Sequence, residues 1–219
     1  MAGNLARGGV AILAMLTVAA SGAAAGVANA AGSAGSSDEA CSLIEGGCGG
    51  ETQLGYGSRG DIAIKYMGPY YAVAGQDVTF TAELGVPFGE GLSQGAVVDS
   101  VTHRAPEGFT FTGADVTSYE QAPGVYPVKF LESSAVVDSE TGDVTVTAPS
   151  DGWAVPSRAA GGIVYVNIHY RVAKPITDEF IRSHITFTGP KVPASDEWVA
   201  EGATFPGVVD PAFVGSSES

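Results

Sequence analysis

An antiparallel β-sandwich is the fold class this sequence predicts, and three observations carry it. Short apolar segments alternate with a period of two, clusters of Gly, Pro and Asp separate them, and no segment keeps a helical period over three turns. The clearest segment is residues 73–84, a turn followed by a strand. Val78, Phe80, Ala82 and Leu84 fall on one face, and Thr79, Thr81 and Glu83 on the other. One face meets a core and the other meets water, as in an antiparallel sheet. Gly75 supplies the φ > 0 that a turn before the strand can require.

The remaining elements follow in order. Residues 61–67 alternate with Ile62, Ile64 and Tyr66 on one side, until Gly68-Pro69 breaks the run. Residues 85–95, with glycines and Pro87, read as a loop. Residues 96–103 form another strand. Pro106-Glu107-Gly108 turns the chain into a short strand at 109–111, with a further candidate at 116–119. Residues 125–137 hold one strand or two, and the acidic turn 138–143 leads into a clean alternation at 143–147, with Val144 and Val146 inward. Residues 148–162 read as a loop carrying Trp153 and Pro156. Residues 162–172 form the longest strand, with Val164, Val166, Ile168, Tyr170 and Val172 as its core face. One helical turn is expected within 175–184 and a last strand at 185–187. The remainder shows no long periodic run. The expectation is a single sandwich of seven to nine strands over residues 59–205. At about 150 residues such a domain buries roughly 68–70% of its unfolded surface, enough for a core without metals.

The ends read differently. Residues 1–30 carry Arg7 as their only charge, then an apolar run over 10–20, then Ala28-Asn29-Ala30. This is the layout of a signal peptide cut after Ala30, and the run is too short to span ~30 Å of hydrocarbon comfortably. Residues 31–58 read as a flexible Gly/Ser-rich leader and residues 206–219 as a disordered tail. The expected location is therefore secreted or in the cell envelope, with no transmembrane segment after cleavage. In that compartment Cys41 and Cys48 are expected to pair. So small a loop stabilises by roughly 2–3 kcal/mol at most, pinning the leader rather than holding the fold.

The 219-residue chain carries a net charge of −14. Loss of residues 1–30 removes one Arg and leaves 9 basic against 24 acidic side chains, or −15. Such a chain avoids nucleic acid and anionic membranes. Its acids are scattered rather than spaced as a calcium loop; those around 138–143 read as a solvated turn, with weak calcium binding as the rival.

Three pieces carry a resemblance. Gly75-Gln76-Asp77-Val78-Thr79-Phe80-Thr81, Val97-Val98-Asp99 and Ala105-Pro106-Glu107-Gly108-Phe109-Thr110-Phe111 resemble the strand and turn motifs of Ig-like repeat domains in bacterial surface proteins. About 40 residues are covered, and Asp99 lies seven residues before Pro106 where the family pattern has fewer. The resemblance implies an Ig-like sandwich that serves as a structural or adhesive module without catalysis. The Ala-rich signal and Gly-rich leader resemble those of actinobacterial exported proteins.

No nucleophile elbow, His-Glu-x-x-His, phosphate loop or dinucleotide fingerprint occurs. His103 and His169, with Asp99 on the face of His103, sketch a two-histidine, one-carboxylate metal site; solvent-facing strand histidines are the plainer reading. Arg59-Gly60-Asp61 spells the tripeptide of integrin ligands, in a composition where chance supplies it readily. Tyr70, Tyr71, Phe88, Trp153 and Trp198 fall in expected loops and form the candidate contact patch, since Tyr and Trp offer large area at low entropy cost. Their plainer role is capping the ends of the sandwich. The function expected is a non-catalytic envelope protein acting in adhesion or scaffolding, without cofactor, whose partner is an envelope protein, glycan or lipid. A carrier of a small apolar or glycan ligand is the first alternative, and a metal-dependent hydrolase using His103 and His169 the second.

Overall fold

The computed structural model describes residues 51–87, 96–119, 127–156 and 162–207. Two six-stranded sheets enclose one core in an Ig-like architecture. In spatial order the first sheet is β1 (Glu51–Arg59), β2 (Ile62–Pro69), β4 (Asp77–Gly85), β12 (Ile163–Val172), β7 (Phe109–Tyr119) and β8 (Val128–Leu131). The second is β3 (Tyr71–Ala72), β14 (Ala200–Pro206), β13 (Ile181–Thr188), β6 (Ser100–Arg104), β10 (Val144–Thr147) and β9 (Ser134–Val137). A two-stranded ribbon pairs β11 (Trp153–Val155) with β5 (Ala96–Val98). All pairings are antiparallel except β14 with β3.

The strongest alternations behave as expected. Ile62, Ile64 and Tyr66 of β2, Val78, Phe80, Ala82 and Leu84 of β4, and Val164 to Val172 at even positions of β12 are buried. These three strands are adjacent and central, so each needs a wholly apolar inner face.

Several expectations are corrected. The described residues form fourteen strands, more than seven to nine: the strand expected at 96–103 splits in two, and β1, β3, β11 and β14 form where no strand was expected. Residues 96–103 divide at Asp99, whose N–H donates to the Thr188 carbonyl (2.8 Å) and whose carbonyl accepts from Ala148 N–H (2.8 Å). The inward parity shifts there from Ala96 and Val98 to Val101 and His103. Such a one-residue slip turns every following side chain to the other face. His103 is therefore fully buried rather than solvent-facing, and Asp99 does not share its face. The loop expected at 148–162 contains β11, the helical turn within 175–184 is absent with β13 starting at Ile181, and β14 is an additional strand. Residues 51–58, expected in the leader, belong to β1, so among the described residues the sandwich includes Glu51–Arg59. Residues 1–30, expected as a signal peptide, residues 31–50 with Cys41 and Cys48, and residues 208–219 lie outside the described residues.

The buried His103 is the polar centre of the core. Its Nε2 lies 2.7 Å from the Tyr66 hydroxyl and its Nδ1 2.7 Å from the Tyr170 hydroxyl. Tyr66 donates onward to Ser183 Oγ at 2.6 Å. Since that proton is used, Tyr66 accepts from an Nε2–H tautomer of His103, and Tyr170 donates to Nδ1. Tyr66 and Tyr170 come from the first sheet, His103 and Ser183 from the second. The four groups thus staple the sheets, with Phe80 packed on the imidazole at 4.7 Å. Burial holds His103 down to about 3 and pushes both phenols above their ordinary range.

The sandwich is closed on one side. Gly55 and Gly57 of β1 lie so near the backbone of β14 and Val199 that a Cβ would run into the Glu201 and Val199 carbonyls. Arg59 completes the closure, reaching Thr186 Oγ1 (3.1 Å), the Ser195 carbonyl (3.5 Å) and the Glu197 carbonyl.

Candidate functional site

Cross-strand register places side chains in rows along the outer face of the first sheet. One row crosses all six strands: Tyr56, Lys65, Glu83, Tyr165, Thr117, Phe130. Its ends are the most open, with Tyr56 at 63% and Phe130 at 76% exposure. Within it Lys65 pairs with Glu83 at 3.5 Å, and Tyr165 meets Tyr119 edge-on at 5.1 Å. Burial, then Glu83 and Tyr119, raise the Tyr165 phenol above its ordinary value.

The neighbouring rows are polar and tied together. Thr81 Oγ1 lies 3.0 Å from both Glu51 Oε1 and Asn167 Oδ1. Asn167 Nδ2 donates to Asp115 Oδ1 (3.0 Å), and His169 Nε2 donates to Asp115 Oδ2 (2.7 Å). His169 Nδ1 meets Thr79 Oγ1 at 2.9 Å. With Nε2–H donating to the Asp115 carboxylate, Nδ1 accepts a hydrogen bond from the Thr79 hydroxyl. Hydroxyl, imidazole and carboxylate stand in line, but the register of β4, β12 and β7 alone brings them there. His169 and Asp115 are each over a third exposed. Acyl transfer would also need converging N–H donors at a developing oxyanion. What this face offers is an ordered set of donors, acceptors and rings on a rigid platform.

The outer face of the second sheet holds a separate cluster. Arg104 makes a two-pronged bond to Asp143 (2.8 and 2.7 Å), which raises the guanidinium's already high pKa. Trp198 lies over Arg104 (4.9 Å) and His184 (5.6 Å). His184 approaches Glu201 at 3.6 Å, and its buried Nδ1 has no hydrogen-bond partner among the described residues.

The residues singled out by the sequence scatter. Tyr70 and Tyr71 stack with each other and with Phe205. Trp198 precedes β14 whereas Phe205 lies near its far end, so the two groups stand roughly 20 Å apart at strand rise. Trp153 is a core residue, not a surface contact: its Nε1 donates to the Glu132 carbonyl at 3.0 Å and pins the crossing between sheets. Phe88 lies outside the described residues. His103 and His169 cannot share a metal, because one lies inside the core and the other on the outer face. Among the described residues no group of three or more His, Cys, Asp or Glu is placed to hold a metal ion, and no helix is long and apolar enough to cross a membrane. The Asp138 carboxylate accepts from the Glu140 and Thr141 amides (2.7 and 3.1 Å), which lower its pKa and commit it to closing the acidic turn. Arg59 is tied down, so Arg59-Gly60-Asp61 is not displayed as a free tripeptide; it forms the β1–β2 turn, with Gly60 at φ 59°. Sequence reasoning passed over Asp115, Asn167 and Tyr165 as a set. The period-two face of 162–172 was the available signal, but the partner strands were not.

No protein-family model matches the chain, and no curated protein matches it. Solved structures similar to it include bacterial adhesins and pilins. One is the N-terminal domain of a Streptococcus gordonii adhesin, at 15% identity over 68% of this chain and 33% of that one, TM-score 0.43. A second is the full-length major pilin of Corynebacterium diphtheriae, at 13% identity over 71% and 34%, TM-score 0.40. A third is the collagen-binding domain of a Staphylococcus aureus adhesin, at 9% identity over 59% and 87%, TM-score 0.31. The chain spans about a third of the length of the first two.

Proposed function

We propose that this chain is an exported, non-catalytic β-sandwich of the cell envelope that acts in adhesion or scaffolding, using the outer face of the first sheet as its contact surface. In this reading residues 1–30 direct export, and the leader, pinned by a Cys41–Cys48 disulfide, spaces the sandwich from its point of departure. The observation that carries the proposal is the six-strand row from Tyr56 to Phe130, which exposes aromatic rings on a rigid sheet where burial would be the cheaper state. Its half-exposed polar network supports contact rather than turnover, because each group is already paired across strands.

A glycan is the second reading of the partner. Tyr165 with Tyr119 offers ring area, while Asn167, Asp115 and His169 beside them offer fixed hydrogen-bonding groups. The test is retention of the purified chain on envelope material and on isolated envelope glycan. A variant with Tyr56→Ser, Tyr165→Ser and Phe130→Ser should lose at least about tenfold in retention, or about 1.4 kcal/mol. Equal retention would remove this face from the function. Fractionation of the producing cells, with N-terminal sequencing, tests export separately.

A further inference from the structure

The two sheets end on the same side in β8 and β9, joined by Glu132 and Ser133. Among the described residues nothing pairs with β8 or β9 on this side, whereas the opposite one is closed by β1 against β14 and by Arg59. On β9, Val136 and Val137 are roughly half exposed. The two edges are unlike. β8 follows Pro127 and carries Lys129 at an inward-parity position opposite Ser118, both devices that discourage pairing. Strand β9, Ser-Ala-Val-Val, has no such guard.

Its hydrogen-bonding groups can be assigned. Asp138 N–H donates to the Asp143 carbonyl at 2.8 Å, making that a bonded pair of the β9–β10 ladder. By the alternation of an antiparallel ladder, Val136 and Ser134 also turn their peptide groups toward β10. Ala135 and Val137 then direct N–H and C=O off the edge. Flanking them in the chain are Glu132, Asp138 and Glu140, with Lys129 on β8, the edge strand of the other sheet. A second copy would bring the same acids face to face, on a chain of net charge −14.

We infer that the β9 edge is a docking site for an extended segment of a different protein, with alternating apolar residues and basic flanks, which adds as a seventh strand to the second sheet. Main-chain bonds to Ala135 and Val137 give the register, apolar contact with Val136 and Val137 gives affinity, and the surrounding acids select the basic flanks. This surface is independent of the outer face assigned above.

The probe is a short peptide of alternating Val and Thr with Lys at both ends, titrated into the full chain and read by amide hydrogen exchange and calorimetry. The expected result is saturable binding that protects Ala135 and Val137 and weakens as salt rises, with a Glu-flanked peptide binding at least about tenfold more weakly. Val137→Pro removes an N–H that faces off the edge and leaves the β10 ladder intact; it should cost about tenfold in affinity. Val136→Lys, on the solvent side, should weaken binding of the basic peptide with the melting temperature unchanged. The inference is overturned by no protection at millimolar peptide, by equal affinity for both peptides or for both variants, or by a peptide-free dimer that Val137→Pro dissolves. The retention assay on the outer-face variant is unaffected by any of these results.

Discussion

Protonation of one buried side chain should set the acid limit of this fold. His103 is fully buried between two phenols, and desolvation depresses it to about 3 from 6.5; the Asp143 charge opposes that shift and His184 adds to it. In the unfolded chain the same imidazole takes up a proton below about pH 6.5. Between these two values the unfolded state binds one more proton than the folded state, so stability falls as pH falls. The slope is about 1.4 kcal/mol per pH unit, giving a loss of roughly 3 kcal/mol at pH 4 and about 4 kcal/mol at pH 3, where the folded state begins to take up the proton as well. Against a typical domain stability of about 5–15 kcal/mol that is a decisive share. The perturbation is His103→Gln, which keeps one donor and one acceptor but does not titrate. At neutral pH it should cost about 1–3 kcal/mol, since the amide cannot reach both phenols and one is left unpaired. The assay is urea unfolding of both proteins from pH 7 to pH 4. Carboxylates, His169 and His184 are present in both and largely cancel, so the gap between the curves should close or reverse toward acid. A gap that stays constant over this range would refute the buried neutral imidazole and the tautomer assigned to it.

Other outcomes follow from the same geometry. Tyr66→Phe removes the hydroxyl that links His103 to Ser183 and should destabilise by about 1–3 kcal/mol; a double-mutant cycle with Ser183→Ala should show clear coupling between the two sites. Gly57→Ala drives a methyl group into the Val199 carbonyl and should lower Tm by several degrees, although alanine is ordinarily harmless in an exposed strand. Arg59→Lys gives up the guanidinium fork that grips Thr186 and the carbonyls of Ser195 and Glu197, so amides over residues 189–199 should exchange faster while the core amides do not. Trp153→Phe keeps the buried ring but leaves the Glu132 carbonyl without its donor, at a cost of about 1–2 kcal/mol in denaturant unfolding.

The central strands were legible because each is dictated by its own residues. β2, β4 and β12 lie in the middle of a sheet, and period-two alternation of Ile, Val, Phe and Tyr is the only pattern that seats them there. Strand β14 was hidden for the opposite reason. Its inward positions are Ala200, Gly202 and Thr204, and the space they leave is filled from across the core: a Cβ on Gly202 would meet the Tyr66 ring and Leu54. The large apolar residue that would announce the strand belongs to another strand. Likewise Asp99 turns the chain from β5 into β6 through bonds to Thr188 and Ala148, and this parity change puts His103 inside. Asp115, Asn167 and His169 each looked like an ordinary strand residue, and strand order made them a network. Sequence by itself determined the β class, the strong core faces and the acidic charge, because these follow from local periodicity and composition. Strand pairing, the parity at Asp99, the buried histidine staple and the placing of β8 and β9 at the ends of their sheets depend on contacts between residues far apart in the chain, and only the tertiary structure decided them.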